Sequence, residues 1–307
     1  MSLNWPLSRK RDTLAARARI IGEIRRFFSK GGYLEVETPL RIPAPAPESH
    51  IDAIPSLDWY LQTSPEICMK RMLAAGFERL FQISHCWREG ERGKLHVPEF
   101  TMLEWYRSDS DYIDLMDECE LLLRSVSEAT GLGCKIGRNG VTVNLEGGWE
   151  RLTVMEAFVR YGGISMEEAL KRDIFDEIMV EKVEPYLGID RPTFIHDFPA
   201  ERGALARLKP DDPSVAERFE LYIAGIELAN AFSELTDPKE QRQRFIEERE
   251  YRQAGDKRVY PLPESFLDEL AQMPPAAGIA LGVDRLVMLL TGAETIDQVV
   301  AFTPEEL

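Results

Sequence analysis

Residues 81–106, FQISHCWREGERGKLHVPEFTMLEWY, constrain the fold more than any other stretch. The segment ends one strand, turns through a polar Gly-rich loop and returns in a second strand. Arg88 belongs to the first strand, and His96, Phe100, Glu104 and Tyr106 lie at or beyond the return. An arginine, a histidine and an aromatic on one hairpin suit a mononucleotide. The guanidinium can fork onto a phosphate, and the aromatic face can stack on a base.

Composition bounds the remaining choices. The chain has 307 residues, 44% hydrophobic and 29% charged, which suffices for a sizeable core. No apolar run approaches the ~20 residues a membrane span needs, and the N-terminus lacks a secretory pattern. Cys68, Cys86, Cys119 and Cys134 form no C-x-x-C pair and no His cluster accompanies them, so neither zinc nor a disulfide framework is expected and a reduced cytoplasm fits. The net charge of −16 excludes nucleic-acid binding through bulk charge.

Apolar periodicity predicts a helix over 11–30, stopped by Gly31-Gly32. YLEVETP (33–39) reads as a strand closed by Pro39, and the Pro-rich residues 41–49 read as extended loop. A strand at 59–61 leads into a helix over 66–75, with Pro65 near its first turn. An amphipathic helix covers 111–130. Residues 132–192 read as a mainly helical insert, with a short strand at 141–145 and helices near 153–161, 166–171 and 173–186. PTFIHDF (193 onward) and a long run over 216–235 resume the strands. A charged helix spans 238–254, and the C-terminal run reads strand, helix, short return. One α+β domain over 1–307, built on an antiparallel sheet, follows.

Two further segments carry chemistry. Glu220, Glu227 and Glu234 punctuate the otherwise apolar run FELYIAGIELANAFSEL. Buried acids are costly unless they hold a cation or hydrogen-bond donors. Odd spacing in a regular strand alternates faces, so at least one should be solvated unless a bulge intervenes. The other reading gives carboxylates to Mg2+ carrying a triphosphate, and one more to a substrate ammonium. In GIALGVDRLVML, Arg285 opens a helix after a strand. It is either a surface arginine capped by Asp284 or a second arginine facing Arg88 across a triphosphate. No G-x-S-x-G, Walker A or G-x-G-x-x-G is present, so nucleotide handling would depend on arginines, acids and metal. The expected step is in-line attack by a carboxylate on an α-phosphate.

GYLEVETP, the 81–106 hairpin and GIALGVDRLVML together resemble, in order, motifs 1, 2 and 3 of class II aminoacyl-tRNA synthetases. TSPEICMKR, PEFTMLEWY and IELANAFSELTD resemble the lysyl enzymes among them. The resemblance implies an antiparallel sheet of about six or seven strands flanked by helices, and a homodimer built on motif 1. It implies ATP as cosubstrate, with Arg88 on the α-phosphate and His96 near the terminal phosphates. Phe100 and Arg285 would sandwich adenine, with Leu228 and Gly282 beside the nucleotide. Glu220 and Glu227 would ligate Mg2+. Glu66 would take one ammonium of the amino acid, and Glu234 with Tyr106 the other. Ser64, Pro65, Glu104, Asn230 and Ala280 would line the same pocket.

The departures refine this. Motif 1 begins at Gly32, which leaves no room for the anticodon-reading OB-fold of a lysyl-tRNA synthetase. The chain is therefore similar to stand-alone paralogues of the lysyl enzymes. That resemblance implies activation of (R)-β-lysine and transfer to a lysine side chain of elongation factor P. Ser64 stands where lysyl enzymes usually have Ala, and Ala280 where they have Gly. Changes of this size shift preference by about 1–3 kcal/mol. Gly90 occupies the position of the usual motif 2 acid, so Glu89 or Glu91 would supply that contact. Val97 replaces a usual Asn, and Ala231 a usual Gly. Competing expectations are charging of tRNA, a non-catalytic regulatory paralogue, and an asparagine-synthesising relative. Retention of Arg88, Arg285, Glu220, Glu227 and Glu234 argues against the regulatory one.

Overall fold

Eight strands form the central sheet of the computed structural model, which describes residues 5–203 and 205–307. They are β1 (Leu34–Glu35), β2 (Arg79–Trp87), β3 (Glu99–Ser108), β4 (Glu150–Thr153), β5 (Thr193–Pro199), β6 (Val215–Ile223), β7 (Ile226–Ser233) and β8 (Ala276–Gly282). Their order across the sheet is β1-β2-β3-β8-β7-β6-β5-β4. The inner pairs are antiparallel, as expected, while β1–β2 and β4–β5 at the two edges are parallel. Parallel neighbours need a crossover connection. Residues 36–78 and 154–192 supply the two crossovers, which is why the sheet exceeds the expected strand number. Segment 132–192 carries its expected helical stretches, at 154–162, 166–171 and 175–186, and strands beyond the one expected. Besides β4 it holds a hairpin of Lys135–Arg138 with Val141–Asn144.

The apolar run at 216–235 is two strands rather than one. Ala224 (φ 51°) and Gly225 (φ 72°) form a two-residue turn with both φ positive, the geometry that matches strand twist in a tight hairpin. A bulge follows, where Tyr222 pairs with Glu227 and Leu221 with Ala229. Turn and bulge together remove the simple alternation of the three acids. At the C-terminus the expected return is a 3-10 turn, Ile296–Gln298.

Helices cover both faces: α1 (Arg11–Lys30), α2 (Glu66–Ala74), α3 (Tyr112–Thr130), α4 (Pro238–Ala254) and α5 (Val283–Thr291). α1, α3 and α5 pack on one face, where Ile20, Phe28, Trp105, Leu122 and Leu286 share a core. Each fully buried leucine there contributes about 1.5–3 kcal/mol. Met69 and Leu73 of α2 and Phe245 of α4 meet Leu80 and Tyr106 on the other face. That second face carries the polar residues. Register aligns Gln82, Glu104, Ala280, Asn230 and Glu220 in one row across five strands. Residues directly opposite one another share a face. The next row on that face is Leu80, Tyr106, Gly278, Phe232 and Arg218.

Candidate active site

A cavity of about 930 Å3 opens over these rows, ample for a nucleotide and an amino acid. Arg88, His96, Phe100, Glu220, Glu227 and Arg285 line it, with Glu91, Leu228, Asn230, Ala280 and Gly282. Ser64, Pro65, Glu66, Glu104, Tyr106 and Glu234 are not part of this open lining. They form an adjoining buried wall, reached through Ala280, whose register partner is Glu104.

Arg88 follows the last residue of β2, and its amide donates to Pro98 O at 2.9 Å to close the hairpin. Its guanidinium lies 5.1 Å from the Phe100 ring centroid, so arginine covers one face of the ring assigned to adenine. Arg88 Nε is buried and has no hydrogen-bond partner among the described residues. Its ion pair with Glu91 is loose, at 3.7 Å. A buried donor left unpaired is costly, and an anion in the cavity would satisfy it. Gly90 has φ 78°, a left-handed conformation that favours glycine. Of the two acids beside it, Glu91 faces the cavity, whereas Glu89 is drawn away by Arg258 at 3.0 Å. The two sequence candidates for that contact are therefore separated by the fold.

Arg285 donates to Glu227 O at 2.6 Å, to its carboxylate at 3.2 Å, and to His96 Nε2 at 2.6 Å. Burial, then the Arg285 charge, lowers the pKa of His96. The imidazole is thus held neutral, with Nε2 as the acceptor. Glu220 accepts from Arg218 at 2.5 Å and from Tyr222 OH at 3.0 Å. Burial pushes it up to about 7. Arg218 opposes the rise and the Glu227 charge adds to it.

The buried wall contains a cation that sequence reasoning missed. Lys70 pairs with Glu66 at 2.5 Å and also with Glu234. Its side chain is 1% exposed, and its ammonium lies 4.9 Å from the Phe232 ring centroid. The two acids assigned to substrate ammonium groups thus share an internal one in the free protein. Burial alone would lower the Lys70 pKa, but Glu234 and Glu66 raise it, so the lysine is charged. Glu104 accepts from Ser64 Oγ at 2.6 Å and Tyr106 OH at 2.8 Å. Burial lifts Glu104 to about 8, with Glu66 adding to the rise. Burial lifts Glu234 to about 8 as well, against the opposing Lys70 charge. At neutral pH Glu104 and Glu234 thus stay largely protonated beside charged Lys70, and a further ammonium at the wall would favour their ionised forms. Oε1 of Glu234 has no hydrogen bond among the described residues. It lies beside Tyr106 where a Cβ on Gly278 would intrude, so glycine is what lets these groups approach. The i,i+4 spacing of Glu66 and Lys70 on one helix was the available signal for the lysine. Gly278 had no sequence signal beyond its place in a strand.

Residues 3–306 match the family model described as tRNA synthetases class II (D, K and N). The chain is 41% identical to the elongation factor P–(R)-β-lysine ligase of Proteus mirabilis, over 97% of each chain. It is 40% identical to the ligase of that name from Sodalis glossinidius, over 99% of this chain and 98% of the relative. The Erwinia tasmaniensis ligase is 41% identical over 98% and 97%. The motif order, the sheet with its arginine-lined cavity and these full-length similarities have one common source: the chain belongs to the family of tRNA synthetases class II (D, K and N).

Proposed function

We propose that the chain is an ATP-dependent ligase that activates (R)-β-lysine and passes it to a lysine side chain of elongation factor P. The carrying observation is a cavity lined by Arg88 and Arg285, with a wall of buried acids, Glu66, Glu104 and Glu234, adjoining it. That polarity suits a substrate anionic at one end and aminated at the other, as the adenylate of a diamino acid is. The names borne by the relatives select β-lysine and elongation factor P as substrate and acceptor.

In the first step a carboxylate oxygen of the amino acid attacks the α-phosphorus of ATP and pyrophosphate leaves. Arg88 would meet the α-phosphate with its unpaired donors, stabilising the charge that builds there. Neutral His96 and Arg285 would meet the nucleotide from the opposite side, with Phe100 packing on it. Glu220 and Glu227 fit Mg2+: both are hard oxygen donors, and their like charges repel. Among the described residues no cluster could hold a metal unaided, so phosphate oxygens would complete the shell. The ion would neutralise and orient the triphosphate. In the second step an amine nitrogen attacks the acyl carbon and AMP leaves. Glu66, Glu234 and Tyr106 would hold the amino groups, with Asn230 and Ala280 on the cavity side. The Ser64 hydroxyl acts through Glu104, which it holds. This couples the Ala-to-Ser difference to the charge and placement of that acid.

Exposed Leu34 on the edge strand β1, with exposed Leu40 and Trp59 in the segment that follows it, supports a homodimer. No helix among the described residues is long and apolar enough to cross a membrane. ATP and a translation factor as substrates put the work in the cytoplasm. ATP–pyrophosphate exchange with (R)-β-lysine, L-α-lysine or no amino acid tests the reading. Exchange should strongly favour β-lysine without tRNA. Preference for α-lysine would return tRNA charging to consideration, and no exchange in a folded, ATP-binding protein would point to a regulatory paralogue.

A further inference from the structure

The second step needs a neutral amine, yet a lysine side chain arrives as an ammonium. Each acid assigned above already has a partner: Glu89 pairs with Arg258, and Glu91 with Arg88, the arginine assigned to the α-phosphate. Glu66 and Glu234 are committed to Lys70, and Glu104 to two hydroxyls. Glu220 is held by Arg218 and Tyr222, and Glu227 by Arg285.

The Pro-rich segment that sequence reading treats only as extended loop brings in another carboxylate. Residues 46–53 run as a strap along the cavity wall. Arg252 of α4, wholly buried, pins it by donating to Glu48 O at 2.7 Å and Ile51 O at 3.0 Å, and by an ion pair with Asp52. Ser49 is tied further by its hydroxyl to Glu248 and by its carbonyl to Lys257 at 2.8 Å. Glu48, held in backbone by these contacts, lines the cavity half-buried. Among the described residues no hydrogen bond or ion pair engages its carboxylate. The charges acting on it are Glu66 from α2, Arg88 from the hairpin, Glu248 from α4 and Arg218 from β6. Glu48 therefore sits within the influence of both the amine-holding acid and the α-phosphate arginine. The acyl–phosphate bond of an adenylate must lie between those two groups.

We propose that Glu48 is the general base that deprotonates the incoming lysine ammonium of the acceptor. This rests on the ligase reading above. The ammonium gives one proton to the Glu48 carboxylate, and the freed nitrogen lone pair attacks the acyl carbon. The C–O bond to phosphate then breaks. The second nitrogen proton leaves with the AMP phosphate, so charge balances and a neutral amide remains. Burial pushes the Glu48 carboxyl up to about 7, with Glu66 adding to the rise and Arg88 opposing it, which poises it for transfer near neutrality.

Glu48→Gln in the full chain tests this with two half-reactions and a bypass. ATP–pyrophosphate exchange with (R)-β-lysine should remain near the parent level, which also reports folding. Capture of the adenylate by hydroxylamine, already neutral near pH 7, should be unchanged. Transfer to elongation factor P in single turnover should fall roughly 100-fold. In the parent, transfer should bend upward through about pH 7 as Glu48 ionises, and the variant should lose that bend. Parent-like transfer with the bend intact would overturn the proposal. So would loss of exchange in the variant, which would make Glu48 a group of the first step. Absence of exchange in the parent itself would instead refute the ligase reading.

Discussion

Lys70 is the residue on which the acid wall depends. Its side chain is 1% exposed, and it pairs with Glu66 and Glu234 at once. Removing one partner of a buried ion pair leaves an uncompensated charge, which costs about 3–5 kcal/mol. Lys70→Met keeps length and apolar stem but removes the ammonium. It should lower unfolding free energy in urea by about that amount. The variant should also regain stability with saturating (R)-β-lysine, whose ammonium groups replace the missing charge. A loss under about 1 kcal/mol would mean that Lys70 is incidental to the wall.

At the scale of elements, the site depends on supports that do not touch it. α3 lies on the far face of the sheet, and its start is set by a reciprocal cap. The Asp111 carboxylate accepts from Ile113 N at 2.9 Å and Asp114 N at 3.1 Å, while its amide donates to Asp114 at 3.2 Å. Gly131 ends the helix with φ 69°. Asp111→Ala should cost about 0.5–2 kcal/mol of stability and leave amino-acid activation intact, measured by denaturation and exchange on the same preparation. A large activity loss would show that α3 couples through the sheet to the cavity. On the site face the reverse holds. β3, β8, β7 and β6 place their side chains by register, so a one-residue slip would send Glu104 and Glu220 into the apolar core.

Over the whole molecule the titrating groups divide into two sets of opposite sign. Burial raises Glu104 and Glu234 to about 8, and Glu48 and Glu220 to about 7. The native state keeps protons on these acids that the unfolded chain releases in the ordinary carboxylate range. Their contribution is therefore present at low pH and is lost as pH rises through 7 to 8. Asp197 behaves oppositely. Despite burial, His196 beside it and its bonds from Lys209 and Tyr112 hold it at about 2, and its contribution is lost only as pH falls toward that value. Urea midpoints should thus be lower at about pH 8.5 than at about pH 6, and saturating (R)-β-lysine should narrow the gap by pairing with the ionised wall. A midpoint that is flat or rises over that interval would contradict the raised acids. The net charge of −16 adds self-repulsion in the same direction. Legible in the sequence were the hairpin, both arginines, the acid ladder and the main helices, because local periodicity, turn residues and motif order encode them. The resemblance to the three synthetase motifs implied one nucleotide site for Arg88, His96, Phe100, Glu220, Glu227 and Arg285, and in the structure all six line one cavity. Only the tertiary structure decided the rest. It made the edge pairs parallel, set Lys70 between two acids, turned Glu89 toward Arg258 and left the Glu48 carboxylate without a partner among the described residues. Each of those outcomes depends on which distant segments meet, and such meetings are set by packing across the sheet rather than by spacing along the chain.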